Sequence, residues 1–366
     1  MKFECVVEKL KEAIQKVEKI TQKNSTLPIL SCVLLEVSKN TLTIKATNLD
    51  LGIEFNIPVK TVVEGSIAVP AIIFSQFLNS ITNEKSVSVY VDGGVLNLKT
   101  DKSKTTIKTF PTDDFPIIPR VEEGKEFDVD ASDFVKGLKS VWYGASLSSI
   151  KPELSSVYIY GDLGEIVFVA TDSFRLGEKR LKCKKTIDMP TVLIPNKNVG
   201  EIIRALDNFS EEVTMTMSKN QIVFTSNSLY LTSRVVDGNF PDYKQIIPKE
   251  FTTNVVVLKA DLLNSLKATN VFLDSFNQVR FFIEPKTKRM ELSAKNGDVG
   301  QNTVSLGAVL EGQDVSVGFN YKYLSDCFQS IDSDSVSLEF CGANKPLVIK
   351  GISDNSFLYL VMPMNR

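Results

Sequence analysis

The stretch VPAIIFSQFLNSI, beginning at Val69, returns 125 residues later as IPNKNVGEIIRAL and after a further 125 as FNYKYLSDCFQSI. The residues differ, but their polarity pattern does not. Phe74, Val199 and Leu324 correspond, as do Phe77, Ile202 and Cys327; Leu78, Ile203 and Phe328; and Ile81, Leu206 and Ile331. Every one is apolar, at spacing i, i+3, i+4, i+7, which is one face of an amphipathic helix. Internal periodicity of this kind constrains a fold before any local propensity does. The chain must hold the same helix three times at a constant interval.

A second register agrees with the first. ATN at Ala46, ATD at Ala170 and AKN at Ala294 lie 124 residues apart, and each ends an alternating strand pattern: TLTIKATN, EIVFVATD and RMELSAKN. Two independent registers define three copies of one domain of about 120 residues, with boundaries at 1–119, 120–248 and 249–366. A further helix lies near the start of each copy, marked by Leu10, Ala13, Ile14 and Val17, by Phe134, Leu138 and Val141, and by Leu262, Leu263 and Leu266. Alternating segments and turns such as DGG (92–94), SKN (218–220) and CGANKP (341–346) fill the rest. Each copy therefore reads strand, helix, several strands, twice over. The expected class is α+β, with six helices and about two dozen mostly antiparallel strands. FPTDDFPIIP (110–119) and NFPDYKQIIP (239–248) join the copies. Proline fixes φ and removes a donor, so these segments are expected to be stiff linkers rather than strands.

The run FLYLVMPM, 357–364, is eight apolar residues long, far short of the roughly 20 that a membrane helix needs. The repeat explains it. Phe110, Val236 and Met362 fall 126 apart, each expected to close the last strand of its copy. The run is thus mainly a core strand, and only Met362-Pro363-Met364 is expected to be free of a following domain.

Composition excludes several chemistries. With no histidine in 366 residues, HExxH zinc sites, Ser-His-Asp triads and Cys-His dyads cannot form. GxxxxGK[ST] and GxGxxG are absent. The five cysteines are scattered without a CxxC, and MKFECVVEKLKEA lacks a secretory h-region. Both point to reduced thiols in a cytoplasmic protein. Asp113-Asp114 and Asp332/Asp334 sit in polar, turn-like contexts and read as solvated residues, so no catalysis and no cofactor is expected. A net charge of −2 means that any nucleic acid is held weakly, by segregated basic residues.

MKF at the start, TLPIL (26–30), ATDSFRL (170–176), VDGNFPDYKQIIP (236–248) and YLVMPM (359–364) together resemble the bacterial DNA polymerase III beta subunit, the sliding-clamp family. The similarity runs the length of the chain and includes the threefold repeat. It implies three tandem DNA-clamp domains, each of two helices plus antiparallel sheets, closing as a head-to-tail homodimeric ring around double-stranded DNA. The ring would act as a processivity factor for the DNA polymerase III alpha subunit. Its other partners would be the clamp loader and further polymerases and repair proteins bearing clamp-binding peptides. Topology holds DNA in such a ring, so weak contacts suffice. Basic positions on the first helix are Lys9, Lys16, Lys19 and Lys23, away from Leu10, Ile14 and Val17; Lys197 and Arg204 share a face of the fourth. These also read as ordinary solvated faces. The resemblance places Lys23, Asn24, Lys151 and Lys197 at DNA-contact positions.

The same resemblance implies a hydrophobic peptide pocket formed by Leu154, Thr171, Ser173, Phe174, Arg175, Leu176, Pro241, Ile246, Pro346, Leu360 and Met362. Where the family commonly has Gly-His, this chain has Ser173-Phe174, which implies altered polarity. Arg175 is expected to aim donors at peptide carbonyls, and Met362 to repack around varied side chains. The subunit contact is expected at Ile107 on an edge strand and at Phe272 and Leu273 after the fifth helix. Two other classes stay open on the residues alone: a peptide-binding scaffold without nucleic acid, and a metal-dependent hydrolase using acidic residues.

Overall fold

The structure is a computed structural model that describes residues 1–21, 27–121, 123–183, 189–209 and 211–364. Among these residues are six α-helices and 26 strands. The first copy contains β1 (Lys2–Val6), α1 (Val7–Glu18), β2 (Cys32–Ser38), β3 (Thr41–Thr47), β4 (Leu51–Pro58), β5 (Lys60–Val63), β6 (Gly65–Pro70), α2 (Ala71–Ser80), β7 (Ser86–Asp92), β8 (Val95–Lys99) and β9 (Lys104–Lys108). The second contains β10 (Lys125–Val129), α3 (Ala131–Val141), β11 (Ser156–Asp162), β12 (Glu165–Thr171), β13 (Arg175–Lys182), β14 (Val192–Pro195), α4 (Asn196–Leu206), β15 (Val213–Met217), β16 (Gln221–Thr225) and β17 (Leu229–Arg234). The third contains β18 (Thr253–Leu258), α5 (Lys259–Asn270), β19 (Gln278–Glu284), β20 (Arg289–Asn296), β21 (Gly300–Ser305), β22 (Ala308–Gly312), β23 (Val315–Asn320), α6 (Tyr321–Cys327), β24 (Ser335–Phe340), β25 (Leu347–Gly351) and β26 (Phe357–Val361).

The repeat is exact in two places. Helices α2, α4 and α6 begin at Ala71, Asn196 and Tyr321, and strands β3, β12 and β20 at Thr41, Glu165 and Arg289, which reproduces the intervals of 125 and 124. The helix faces read from the spacing are the buried ones. Phe74, Val199 and Leu324 are at most 1% exposed, and so are Leu10, Ile14 and Val17 on α1. Burying a side chain of this size stabilises the fold by about 1.5–3 kcal/mol. Tight packing also selects small residues: a Cβ on Gly137 of α3 would fall 2.4 Å from the Phe168 ring.

The residues fall into two compact units, Met1–Val135 with Lys197–Val235, and Lys136–Asn196 with Val236–Arg366. They cut across the sequence copies because sheets run from one copy into the next. In the first unit, an eight-stranded sheet has the order β10-β15-β16-β17-β4-β3-β2-β6, beside a five-stranded sheet β5-β1-β7-β8-β9. Its seam is the antiparallel pair β4–β17, Leu229 opposite Phe55 through Ser233 opposite Leu51. In the second unit, a nine-stranded sheet has the order β14-β11-β12-β13-β26-β25-β24-β18-β22, beside a four-stranded sheet β21-β20-β19-β23. Its seam is β13–β26, Arg175 opposite Val361 through Lys179 opposite Phe357.

The proline linkers are fastened onto these sheets. In the first unit, Arg120 lies 4.0 Å over the Tyr230 ring and pairs with the buried Glu54 at 2.6 Å, while Tyr230 donates to the Pro119 carbonyl at 2.8 Å. In the second, Tyr243 donates to Glu178 and lies 2.8 Å from the Tyr160 hydroxyl. Glu54 and Glu178 stand 124 residues apart, so the repeat supplies an acid at the same place in each seam.

One expectation needs correcting. Phe110, Val236 and Met362 lie just beyond the last strands, which end at Lys108, Arg234 and Val361. Each ladder runs out of partners first. Phe110 makes an isolated bridge with Ala68, Val236 donates its N–H to Leu193 at 2.9 Å, and Met362 donates to Phe174 at 2.8 Å. The apolar run at 357–361 is a central strand, with Phe357, Tyr359, Leu360 and Val361 no more than 1% exposed.

Candidate functional site

The β12–β13 turn is built by side chains that replace backbone ladder bonds. Thr171 donates its hydroxyl to the Arg175 carbonyl at 2.6 Å, and Asp172 Oδ1 accepts the N–H groups of Phe174 and Arg175 at 2.9 and 3.0 Å. Asp favours such Asx turns because its short carboxylate mimics a carbonyl. Ser173 is held at φ +77°, a region glycine occupies without strain. The β3–β4 turn of the first unit repeats the arrangement: Thr47 donates to Leu51, Asn48 accepts from Asp50 and Leu51, and Leu49 has φ +74°.

In the second unit this turn and the end of β26 form one corner. Leu176 stands opposite Leu360, and the Met362 N–H donates to the Phe174 carbonyl at 2.8 Å. Pro346 precedes β25, whose Leu347 opposes Val361. The expected pocket residues divide by exposure. Leu154, Thr171, Arg175, Leu176 and Leu360 are buried, whereas Phe174 is 60%, Ile246 52% and Met362 37% exposed. Ser173 and Pro241 are also exposed, and Pro346 is half-buried. Leu176 and Leu360 pack with Val167, Val169, Tyr243 and Val348, beneath the linker residues Phe240 and Ile247. They are core residues, and the expected pocket residues with exposed apolar side chains are Phe174, Met362 and Ile246. The Leu154 carbonyl accepts the Ser146 N–H at 2.8 Å, closing an exposed loop at its root.

Arg175 is engaged within the fold. Its Nε donates to Asp172 at 3.0 Å, its Nη1 to Asp326 of α6 at 2.7 Å, and its guanidinium lies 4.5 Å over Tyr323 and 5.9 Å over Tyr143. Burial works against its charge, but Tyr359, Asp326 and Asp172 outweigh burial and raise its pKa above the ordinary value. Arg175 therefore braces the turn against α6. Sequence reasoning missed Asp172, Tyr143, Tyr323 and Asp326. Asp172 lay within ATDSFRL itself; Asp326, 151 residues away, gave no local signal.

The expected basic residues have different surroundings. Lys23 and Asn24 lie outside the described residues. Lys151 is exposed on the loop before Leu154. In the first unit, Lys197 is 67% exposed and pairs with Asp50, and Arg204 pairs with Glu201. Exposed pairs of this kind contribute about 0–1 kcal/mol, so a phosphate can compete for either cation. Lys16 is unlike them. Its ammonium lies 5.0 Å over Phe209 and 5.5 Å over Phe55, 3.4 Å from the Ala205 carbonyl, and desolvation lowers its pKa. Lys11 likewise caps α2 through the Ile81 carbonyl at 2.7 Å. Lys9 remains exposed on α1, as does Lys19 at its C-cap.

Of the expected contact residues, Ile107 lies on β9, which has a neighbour on one side only, but its side chain is 5% exposed. It would contribute backbone rather than side chain. Phe272 and Leu273 follow α5 half-buried, beside the exposed Val271 and Phe276. Asn296 donates to the Leu273 carbonyl at 2.7 Å, and the Phe272 ring lies near Gly300, where the open-edged strand β21 begins. Asp332, weighed as a catalyst, is paired with Lys136, whose hydrogen bond lowers its pKa.

Comparison with known proteins accounts for nearly the whole chain. The DNA polymerase III beta subunit N-terminal domain matches residues 1–119, its central domain 128–242 and its C-terminal domain 244–365. The beta sliding clamp of Synechococcus elongatus is 26% identical over 373 residues, covering 100% of this chain and 99% of its own. The Thermotoga maritima DNA polymerase III beta subunit superposes with a TM-score of 0.93 at 27% identity, over 100% of this chain and 99% of that one. A Bartonella birtlesii sliding clamp bound to griselimycin gives 0.93 at 25%, over 100% of both chains. Three domain matches in order, on a chain whose own repeat has that period, lead to one conclusion: this protein belongs to the DNA polymerase III beta subunit family, the sliding clamps.

Proposed function

We propose that the protein is a processivity clamp: a head-to-tail homodimer that encircles duplex DNA, slides along it and tethers the replicative polymerase. The observation that carries this reading is the ordered match of all three clamp domains. Local chemistry supports it. The net charge is −2, and Lys197 and Arg204 are balanced by adjacent acids, which suits contacts weak enough to slide. Strands β9 and β21 each keep an unpaired edge, and β21 lies beside the apolar residues after α5. Open edges invite strand pairing, and a heterologous contact that closes gives a ring. The corner at Phe174, Ile246 and Met362 offers apolar surface for the short hydrophobic peptides of the polymerase alpha subunit, the clamp loader and repair proteins.

The decisive experiment is topological. Loaded onto nicked circular DNA, the protein should be retained, and linearising the circle should release it. Equal retention on both forms overturns the clamp reading.

A further inference from the structure

The turn that carries Ile246 is held to the nine-stranded sheet by a chain of buried hydrogen bonds. Every second residue of a strand shares a side, so β13 presents Leu176, Glu178 and Arg180 on one face. Leu176 packs there with Val167, Val169, Tyr243 and Val348. Glu178 follows it on the same face, a carboxylate buried beside an apolar cluster. Such a group persists only where it is hydrogen-bonded. Its Oε1 accepts the Arg180 Nε at 2.7 Å, and its Oε2 accepts the Tyr243 hydroxyl. That uses the one phenolic proton of Tyr243, so the Tyr160 hydroxyl, 2.8 Å away, donates to Tyr243. Burial and the Glu178 carboxylate raise the Tyr243 pKa above its ordinary value, which keeps the phenol protonated and donating.

Tyr243 begins the 3-10 turn Tyr243–Ile246. Side chains three apart in such a turn eclipse one another, so the direction Tyr243 takes sets the direction of Ile246. The Tyr243 N–H donates to the Pro241 carbonyl at 2.7 Å, which ties Pro241 to the same residue. Tyr243 is buried, while Pro241 and Ile246 are exposed. Two residues expected in the peptide pocket thus hang on one buried side chain. The other attachments of this linker are less exacting. Phe240 stacks on Tyr158 at 4.7 Å, and Lys244 lies 5.4 Å over Tyr160 and 3.6 Å from Asp162. Apolar contact is non-directional and a largely exposed ion pair is weak. The buried hydrogen bond is directional, and it sets the depth and rotation of the turn.

We propose that Tyr243, through its hydrogen bond to Glu178, is a positioning residue for peptide recognition: the clasp preforms the wall made by Pro241 and Ile246. The proposal rests on the peptide corner proposed above. A wall already in place spares the peptide the cost of selecting it, because apparent affinity falls with the fraction of protein in the competent state.

The test compares Tyr243→Phe, Glu178→Leu and their double variant. Fluorescence anisotropy with a labelled pentapeptide of Leu and Phe with neutral polar residues gives affinity, beside melting temperature and amide hydrogen exchange of residues 240–247. Tyr243→Phe keeps the ring in the cluster and should weaken the peptide roughly three- to tenfold, the factor by which the competent fraction falls, with faster exchange confined to 240–247. Glu178→Leu should weaken it to a similar extent. The double variant replaces both partners by apolar groups, which can be nearly neutral for stability. Its melting temperature should return towards the native value while the peptide stays weak. Native affinity in Tyr243→Phe overturns the proposal. So does a double variant whose affinity returns together with its melting temperature, since the clasp would then be structural only. Failure of the native protein to bind any such pentapeptide is a distinct result: it removes the corner itself, and the role of the clasp with it.

Discussion

Lys179 lies in the β13–β26 seam, opposite Phe357, and the structure sets what its loss costs. The side chain is 1% exposed and bonds to Ser356 Oγ at 2.6 Å and to Asp354 Oδ2 at 3.3 Å. Asp354 also accepts from the Ser356 N–H at 2.9 Å and from its hydroxyl, and it keeps 13% exposure. The two halves of the pair therefore fail differently. Asp354→Asn leaves an ammonium in the core with only neutral partners, and breaking a buried pair in this way costs about 3–5 kcal/mol. Lys179→Met replaces the cation by an apolar chain of similar length and leaves a carboxylate that Ser356 and water still satisfy, so about 1–3 kcal/mol is expected. The double variant buries no unpaired charge and should fall near Lys179→Met, far from the sum, because contacting residues couple. Urea unfolding followed by Trp142 fluorescence reads this out, since Trp142 is the only tryptophan and belongs to the same unit. If Asp354→Asn proves the milder substitution, or if both cost less than about 0.5 kcal/mol, the seam does not depend on this pair and the reasoning fails.

Three further outcomes are expected. Met362→Ala and Phe174→Ala should each weaken hydrophobic peptide binding about tenfold, near 1.4 kcal/mol, with little change in melting temperature; unchanged affinity in both would remove the corner as the peptide site. Leu176→Asp is no substitute for them, because it puts a carboxylate at a position that is 0% exposed and should unfold the second unit. Leu273→Asp should give monomers in sedimentation velocity, and a persistent dimer would displace the proposed contact. Acid should destabilise the protein. Lys136 holds the Asp332 pKa below its ordinary 3.8; for Asp354 burial pushes up, but Ser356 and Lys179 bring it below 3.8 as well. Folded values below unfolded ones mean stability present above about pH 4 and lost as pH falls through the folded values. Asp332→Asn should flatten that slope, as measured by melting temperature from pH 5 to pH 2.

The repeat, the helix faces and the α+β class were legible because each depends on spacing along the chain. Phe74, Val199 and Leu324 face inward for a reason that their own neighbours state. The seams were not legible. Pairing β4 with β17 and β13 with β26 joins residues some 180 apart, and no periodicity reports which edge a strand meets. The same limit separates Lys16 from Lys9. Both read as basic positions on one helix, yet only the tertiary approach of Phe55 and Phe209 turns Lys16 into a packing residue. ATDSFRL and YLVMPM do meet at one corner, the Met362 N–H on the Phe174 carbonyl, but their letters could not tell the buried Leu176 and Leu360 from the exposed Phe174 and Met362.

The continuous sheets change what the proline linkers are. Five residues of β17 are paired with β4 and five of β26 with β13, and a β ladder does not need a covalent tether to stay closed. A protease that nicks the chain at the exposed Asp113 or Asp114 would therefore leave the fragments clasped by the β4–β17 ladder and by Arg120 on Glu54 and Tyr230. The nick would be visible on a denaturing gel and silent in solution mass. Movement between successive copies would have to unzip backbone hydrogen bonds rather than swing about a loop, so a ring built from such chains would part most readily at the strand edges where one subunit meets the next.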